Sequence, residues 1–292
     1  MSQPIDSRKL EAILERVQKA TRYTGGEINT VHKDWDAMRL TFAFCFPDTY
    51  EVAMSHLGLK IIYAIVNSRE DFVCERVCMP WVDMKALMEE EGLPLFSLES
   101  RHALRDFDVV GFTLQYEMSY SNILAMLRLG GIPLHREERD ISDPIVIAGG
   151  PCAFNPEPLA DFIDCFVIGD GEDVELEVCD AIAAWRESGA PREACMKALA
   201  GITGCYVPAL YDVTYHENGT IASFRPNCPE APERVRKYIC MDLDHAIYPT
   251  QWPVPYTEVI FDRIMLEIMR GCSRGCRFCE AGLDGVAQSV LC

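Results

Sequence analysis

Short apolar segments alternate with amphipathic segments between residues 38 and 190, and this alternation restricts the fold more than any other feature of the chain. Apolar segments with the length of strands lie at 40–46, 73–79, 108–114, 144–148 and 165–168. Segments with apolar residues at helical spacing lie at 56–67, 82–91, 121–129 and 173–185. Continuously apolar strands joined by helices are typical of a parallel sheet covered on both faces. We therefore predict a doubly wound α/β domain, flavodoxin-like or Rossmann-like, over residues 38–190.

The rest of the chain has other patterns. Apolar residues at helical spacing between positions 7 and 20 predict a helical segment within residues 1–37, with Asp6 or Ser7 as its N-cap. Residues 191–257 contain many prolines, and an Asn-Gly turn between 211–215 and 221–224 predicts a small β-hairpin in this connector. The apolar run Arg263–Met269 predicts a strand, so we expect a further domain to begin within residues 258–292.

The composition excludes several broad classes of protein. The chain has 292 residues, of which 49% are hydrophobic and 25% charged, as in ordinary globular proteins. A net charge of −18 argues against broad binding to nucleic-acid phosphates. The sequence has neither a long apolar run nor a secretory signal at its start, so we expect a cytoplasmic protein without a membrane partner. In a reducing compartment, its 14 cysteines suggest metal binding or burial rather than disulfides.

Three cysteines near the end of the chain have the spacing of metal ligands. Cys272, Cys276 and Cys279 form a CxxxCxxC motif directly after the predicted strand. Thiolates suit iron–sulfur clusters and zinc, and three protein ligands would leave one iron of a [4Fe–4S] cluster open. Positive charge close to the motif favours an anionic thiolate-ligated centre, and it comes from Arg270, Arg274 and Arg277.

The motif and its context resemble the radical SAM superfamily. An aromatic residue before the third cysteine, here Phe278, belongs to the same pattern. Upstream segments resemble uncharacterised radical SAM proteins with an N-terminal B12-binding-type domain, and together these similarities cover nearly all of residues 40–282. The upstream segments are FPDTYE at 46–51, SHLG at 55–58, GGP at 149–151, NPEP at 155–158 and IGDGE at 168–172.

The resemblance implies a fold and a chemistry. A flavodoxin-like domain comes first in the family, and a (β/α) barrel follows with the cluster loop after its first strand. Cys272, Cys276 and Cys279 are then expected to bind a [4Fe–4S] cluster whose open iron is chelated by S-adenosylmethionine (SAM), with Phe278 near the adenine. Reductive cleavage of SAM gives a 5′-deoxyadenosyl radical that acts on a substrate, here unknown. An electron donor such as ferredoxin or flavodoxin is the expected partner, and the catalytic residues stay unknown.

The sequence departs from the family pattern in two ways. Cobalamin proteins that supply a histidine ligand use DxHxxG, whereas His56 lies in SHLG, so cobalamin is a candidate only without that lower ligand. We expect His56 to cap or pack at a helix start. The chain also ends shortly after Cys279, so we expect an incomplete barrel and a fragment without full activity. Cys292 is the candidate fourth ligand if the motif binds zinc instead.

Two glycine-rich loops are candidate cofactor-binding segments. Gly149 and Gly150 follow one predicted strand, and Gly169 and Gly171 follow the next. Ligands of open parallel sheets bind outside the carboxyl ends of the strands, where glycines allow close backbone approach. A cofactor crevice and ordinary tight turns, with an acidic residue of 170–173 capping the next helix, are both compatible with this pattern.

Further alternatives follow from the same features. The α/β domain could act as a non-catalytic module that binds a corrinoid or a nucleotide, with the cluster loop vestigial. Asp48 and Glu51 could form an acid–base pair, although a turn or helix cap is the expected role. The other cysteines, such as Cys45 and Cys165, are expected to be buried apolar side chains.

Overall fold

Five parallel strands and one antiparallel strand form the central sheet of the computed structural model, which describes residues 3–271, 274, 276–277 and 289–290. The strands are β1 (Leu40–Phe46), β2 (Phe72–Cys78), β3 (Val109–Thr113), β4 (Ile145–Gly149), β5 (Cys165–Val167) and β6 (Cys205–Tyr206). Their order is β2-β1-β3-β4-β5-β6, with β6 antiparallel to β5. The order 2-1-3-4-5 is that of flavodoxin-like folds, so the predicted α/β class is confirmed.

The α-helices pack on this sheet. They are α1 (Ser7–Leu14), α2 (Tyr50–Ala53), α3 (Leu57–Ser68), α4 (Val82–Glu91), α5 (Tyr120–Leu129), α6 (Val174–Ser188) and α7 (Arg192–Ala200). Gly92 ends α4 with a φ of +62°, as its sequence predicts. The Asp6 side chain accepts a hydrogen bond from the Arg8 N–H and caps α1, which ends earlier than the predicted position 20. Across the described residues, no helix has the length and apolar character that a membrane crossing requires.

Short 3₁₀ helices complete the connections between these elements. They lie at Ala20–Arg22, Trp35–Ala37, Leu104–Asp106, Glu117–Ser119, Arg136–Glu138, Pro151–Phe154, Glu157–Leu159 and Pro208–Leu210. The helix at Pro151–Phe154 follows β4 directly, and its Pro151 occupies a first-turn position where a missing N–H costs nothing.

The connector contains the predicted hairpin. Its strands are β7 (Tyr211–Tyr215) and β8 (Ile221–Pro226), which pair antiparallel. Helix α7 and strand β6 also lie in residues 191–257, and β6 extends the main sheet, which the sequence pattern does not predict. The proposed domain boundaries themselves stay predictions.

The strand predicted over Arg263–Met269 is wrong for most of its length. Residues 263–268 have no strand geometry, and β9 covers Met269–Arg270, where it pairs with β10 (Ser289–Val290). A strand is defined by the hydrogen bonds that it shares with a neighbour. Within the described part of the chain, residues 263–268 have no strand beside them, so apolar sequence alone does not make them one.

A buried ionic network interrupts the apolar pattern of β2. The guanidinium of Arg76 is fully buried and donates to Glu99 Oε1 at 2.6 Å and to Glu27 Oε2 at 2.8 Å. Tyr50 donates to the other oxygen of Glu27 at 2.8 Å. Burial acts to raise the pKa of Glu27, but Arg76 outweighs it and the pKa is lowered. This network joins residues near the N-terminus to the second strand.

Candidate functional site

A cavity of about 360 Å³ lies among the carboxyl-terminal parts of β1, β3, β4 and β5 and the helices α3 and α6. Its apolar walls include Phe42, Ile61 and Ile147. Neighbouring β1 and β3 are the pair at which the strand order reverses, and ligands of such sheets bind at this point. The volume lies within the range of small-molecule sites.

Both predicted glycine loops line this cavity. Gly149 and Gly150 approach from the end of β4, and Gly169 and Gly171 from the end of β5. A further glycine, Gly111 within β3, was missed by the sequence reasoning. A Cβ at Gly111 would lie 2.5 Å from the Phe42 ring, so the absence of a side chain there is needed for packing beside the cavity. Glycine inside an otherwise apolar strand is the signal that could have identified it.

The backbone at Gly169 is approached closely by the chain itself. Gly169 has a φ of +117°, and a Cβ there would lie 2.0 Å from the Tyr238 carbonyl oxygen. The Tyr238 N–H donates to the Ile168 carbonyl at 2.8 Å, and the Asp170 N–H donates to the Tyr238 carbonyl at 3.0 Å. Residue 238 therefore extends along the loop after β5, and this contact alone requires glycine at position 169.

The acidic residues of the same loop do not cap α6, so that predicted role is wrong. Asp173 occupies the N-cap position but makes no side-chain cap bond. Instead, its carboxylate accepts a hydrogen bond from the Tyr238 hydroxyl at 3.0 Å, and the Asp170 carboxylate accepts one from the Cys240 N–H at 2.9 Å. Burial and the bond to Asp173 raise the pKa of Tyr238 to about 12. These carboxylates hold the connector against the loop.

Arg270 precedes the Gly-Cys of the motif. Its side chain lies among three carboxylates at the cavity rim. Its guanidinium donates to Glu172 at 2.9 Å and to Glu267 at 2.7 Å, and lies 3.2 Å from Asp170. Burial acts to lower the pKa of Arg270, but the hydrogen bonds to Glu172 and Glu267 outweigh it and the pKa is raised. The guanidinium therefore fastens the start of the cysteine motif to the loop after β5.

Glu175 is a buried acid in the cavity wall that sequence reasoning missed. It lies in the first turn of α6 and is 7% exposed. Its Oε1 is buried and has no hydrogen-bond partner among the described residues. Burial raises the pKa of Glu175 to about 7. The sequence places Glu175 on one helix face with the buried Cys179 and Ile182, but it does not show that this residue borders the cavity.

His56 caps a helix, as predicted. It is the N-cap residue of α3, and its Nδ1 accepts a hydrogen bond from the Leu59 N–H at 3.2 Å. Burial lowers the pKa of His56, which favours the neutral ring that can accept this bond. The ring also lines the cavity.

Asp48 and Glu51 each have their own structural partners. Asp48 accepts a hydrogen bond from the Thr49 N–H at 2.7 Å, at the turn into α2. Glu51 pairs with Arg22 at 2.8 Å and with Lys19 at 3.1 Å. Asp48 therefore shapes the turn into α2, as expected, whereas Glu51 joins α2 to the N-terminal segment and is not a cap.

The predicted cluster ligands fall largely outside the described residues. Cys272, Cys279, the aromatic Phe278 and the zinc candidate Cys292 all lie there, whereas Cys276 is described and exposed. Within the part of the chain that the structure describes, no three His, Cys, Asp or Glu side chains are arranged to hold a metal ion. The ligand set therefore stays a prediction. The buried Cys45 and Cys165 agree with their expected place in the core.

Comparison with known proteins identifies the family. An uncharacterized protein of Methanocaldococcus jannaschii is 29% identical over 190 residues, which are 64% of this chain and 33% of that protein. The match thus spans about a third of the relative's length. A solved structure of the cobalamin-dependent S-adenosylmethionine radical enzyme OxsB, with aqua-cobalamin and S-adenosylmethionine bound, aligns with 82% of this chain and 28% of its own, at 13% identity and a TM-score of 0.39. The family described as radical SAM proteins, N-terminal, matches residues 58–208. Since this match covers more than half of the chain, the protein belongs to the radical SAM family.

Proposed function

We propose that the protein is a radical SAM enzyme whose [4Fe–4S] cluster is held by Cys272, Cys276 and Cys279. The observation that carries the proposal is the CxxxCxxC motif in a chain that belongs to this family. When bound and reduced, the cluster would supply the electron for cleavage of SAM. The activity of the whole protein, its substrate and its electron donor, for which ferredoxin or flavodoxin is the candidate, belong to the same proposal.

The described residues of the motif are compatible with such a centre. Cys276 is exposed, and a thiolate must be accessible to receive iron and sulfide. Arg274 and Arg277 are exposed close to it in the chain, and their positive charge would favour an anionic cluster. Three soft sulfur donors suit an iron–sulfur cluster and leave one iron for a small-molecule ligand.

Arg270 has a positioning role in this proposal. It holds the residues before the motif to Glu172 and Asp170, and Glu172 also lines the cavity. The segment with the cysteines would thereby begin at the rim of the cavity, where Arg270 holds it. A substrate or second cofactor in the α/β domain could then be reached from the cluster site.

Anaerobic reconstitution with iron and sulfide tests the cluster. We expect the wild-type protein to gain iron, sulfide and a charge-transfer absorbance, and Cys276→Ala to lose them. Cys228→Ala is the matched control, because Cys228 is a half-buried cysteine of the connector outside the motif. Wild-type protein without bound iron and sulfide, or full loading of the Cys276→Ala variant, would refute the cluster. Zinc without sulfide would favour the Cys₄ zinc alternative that includes Cys292.

A second proposed function concerns the α/β domain alone. Its cavity at the strand-order reversal supports a binding module for a corrinoid or a nucleotide, with Gly149, Gly150, Gly169 and Gly171 in the ligand-facing loops. Titration with hydroxocobalamin tests the corrinoid form of this proposal. A saturable change in the cobalamin spectrum supports it, and an unchanged spectrum at high protein concentration removes it.

A further inference from the structure

One wall of the cavity contains a buried carboxyl oxygen without a hydrogen-bond partner among the described residues. Other acids near the cavity are paired, as Glu172 is with Arg270. Glu267, which also lines the cavity, likewise accepts a hydrogen bond from Arg270 at 2.7 Å. Glu175 differs, because its Oε1 is buried without a partner among the described residues while the side chain borders the cavity.

Among the residues that the structure describes, no cation forms an ion pair with Glu175. The nearby titratable groups are the buried thiols of Cys74 and Cys179, whose pKa values are raised mainly by burial and partly by Glu175. Arg270, the cation at the rim, is already bound by carboxylates. A buried polar atom without a partner costs folding free energy. In native proteins such an atom commonly has a functional role or binds water or an ion. Glu175 is therefore a candidate contact for whatever fills the cavity.

The lining restricts the chemistry of that ligand. Phe42, Ile61 and Ile147 present apolar surface, and Gly111 leaves the sheet beneath them without a side chain. A phosphate or carboxylate at this depth would face Glu175 and Glu172, while Arg270, the cation in the described lining, is already bound by carboxylates. A compact ammonium ion would exchange its water shell for Glu175 in a largely apolar lining, because the lining carboxylates of Glu172 and Glu267 are already bound by Arg270. A flat, uncharged ring with one polar edge avoids both penalties.

We infer that Glu175 is the specificity-determining residue of the cavity, and that it hydrogen-bonds a ring nitrogen of a neutral nitrogen-heterocyclic base. The inference rests on the proposed role of the cavity as a ligand site. Such a base occurs in the nucleotide tail of a corrinoid and in a nucleoside such as adenosine. The carboxyl of Glu175 can donate when protonated and accept when ionised, so it can meet either kind of ring nitrogen.

Two substitutions at one position test this role. Glu175→Gln keeps the size and one hydrogen-bonding edge, whereas Glu175→Leu removes hydrogen bonding and fits the apolar wall. Glu177→Gln on the exposed face of the same helix is the matched control. Urea unfolding of each variant establishes that it is folded before binding is measured. The probes are hydroxocobalamin, cobinamide, which lacks the base, and adenosine.

We expect Glu175→Leu to weaken binding of a base-containing probe by about tenfold, the effect of one lost hydrogen bond. Glu175→Gln and Glu177→Gln should stay close to wild type, and cobinamide should bind all four proteins alike. Weaker binding of hydroxocobalamin to Glu175→Leu than to wild type identifies a corrinoid tail as the ligand. Weaker binding of adenosine to that variant identifies a nucleoside. Equal binding of these probes to wild type and Glu175→Leu overturns the inference while leaving the cavity a ligand site. Failure of wild type to bind any probe refutes the proposed cavity function and the inference with it.

Discussion

Replacing Glu175 by glutamine should make the stability of the protein less dependent on pH. Burial raises the pKa of Glu175 from 4.5 to about 7. Because the folded pKa is raised, the native state holds a proton that the unfolded state releases between these values. The stabilising effect of that proton is complete below the unfolded pKa and is lost as pH rises through the folded pKa. The difference of about 2.5 pKa units corresponds to about 3 kcal/mol.

Glutamine cannot ionise, so the variant escapes this loss. Since the sequence pI is 4.7, measurements should start above it to avoid precipitation. Between about pH 5.5 and about pH 8.5, the unfolding free energy of Glu175→Gln relative to wild type should increase by about 2 kcal/mol. The rest of the increase in relative unfolding free energy occurs below about pH 5.5. Glu75, whose pKa burial also raises to about 7, is present in both proteins and cancels in the comparison.

Urea unfolding followed by tryptophan fluorescence, in reducing buffer at a series of pH values, measures this difference. Trp185 lies on α6 with Glu175 and reports on the same helix. The exposed Glu177→Gln variant should follow the wild-type pH profile. Parallel profiles for Glu175→Gln and wild type across the whole range would show that the Glu175 carboxyl is not buried and neutral, and would refute the reasoning.

Three further substitutions test contacts described above. Glu27→Gln removes one carboxylate from the buried Arg76 and should lower the unfolding free energy by about 3 kcal/mol in urea titrations. Gly169→Ala places a Cβ 2.0 Å from the Tyr238 carbonyl, so it should detach the connector and expose residues near 238 to limited proteolysis. Arg270→Ala removes charge-assisted hydrogen bonds of about 1.5–3 kcal/mol each, and should speed hydrogen exchange near residues 267–271 by about tenfold or more.

Matched controls separate these effects from general damage. Glu90→Gln removes an exposed carboxylate and should change stability by less than about 1 kcal/mol. Gly189→Ala also places alanine at a positive φ, here +64°, but with open space around the new Cβ, so it shows the effect of a left-handed backbone without a collision. Arg234→Ala removes an exposed arginine of the connector. A connector that stays protected in Gly169→Ala, or unchanged exchange in Arg270→Ala, would contradict the corresponding contact.

The parts of the fold that depend on local pattern were predictable from sequence. Strand β1 and helix α4 have the predicted bounds, because both depend on local sequence. A continuous apolar run defines β1, and a glycine directly after α4 ends that helix. The convergence of the two glycine loops followed from topology, since carboxyl ends of parallel strands share one edge. The strand over 263–269 failed because it depends on a partner strand rather than on its own residues.

The candidate site was predictable only in part. The glycines were found from their positions after strands, but Glu175 was hidden inside a helix where an acidic residue in the first turn looks ordinary. Its importance depends on which helix face meets the cavity, and that is set by packing. The partners of Arg270 could not be predicted from the sequence either, since its contact with Glu172 joins residues 98 positions apart.

The pairing of Tyr238 with Ile168 and Asp170 sets an order of events during synthesis. All five parallel strands have been translated once residue 167 has been added, and a domain can begin to fold at that stage. The backbone of the loop after β5 acquires its partner at position 238 only when that residue has emerged from the ribosome. A nascent chain paused before residue 238 would therefore contain the sheet with one wall of the cavity unfinished.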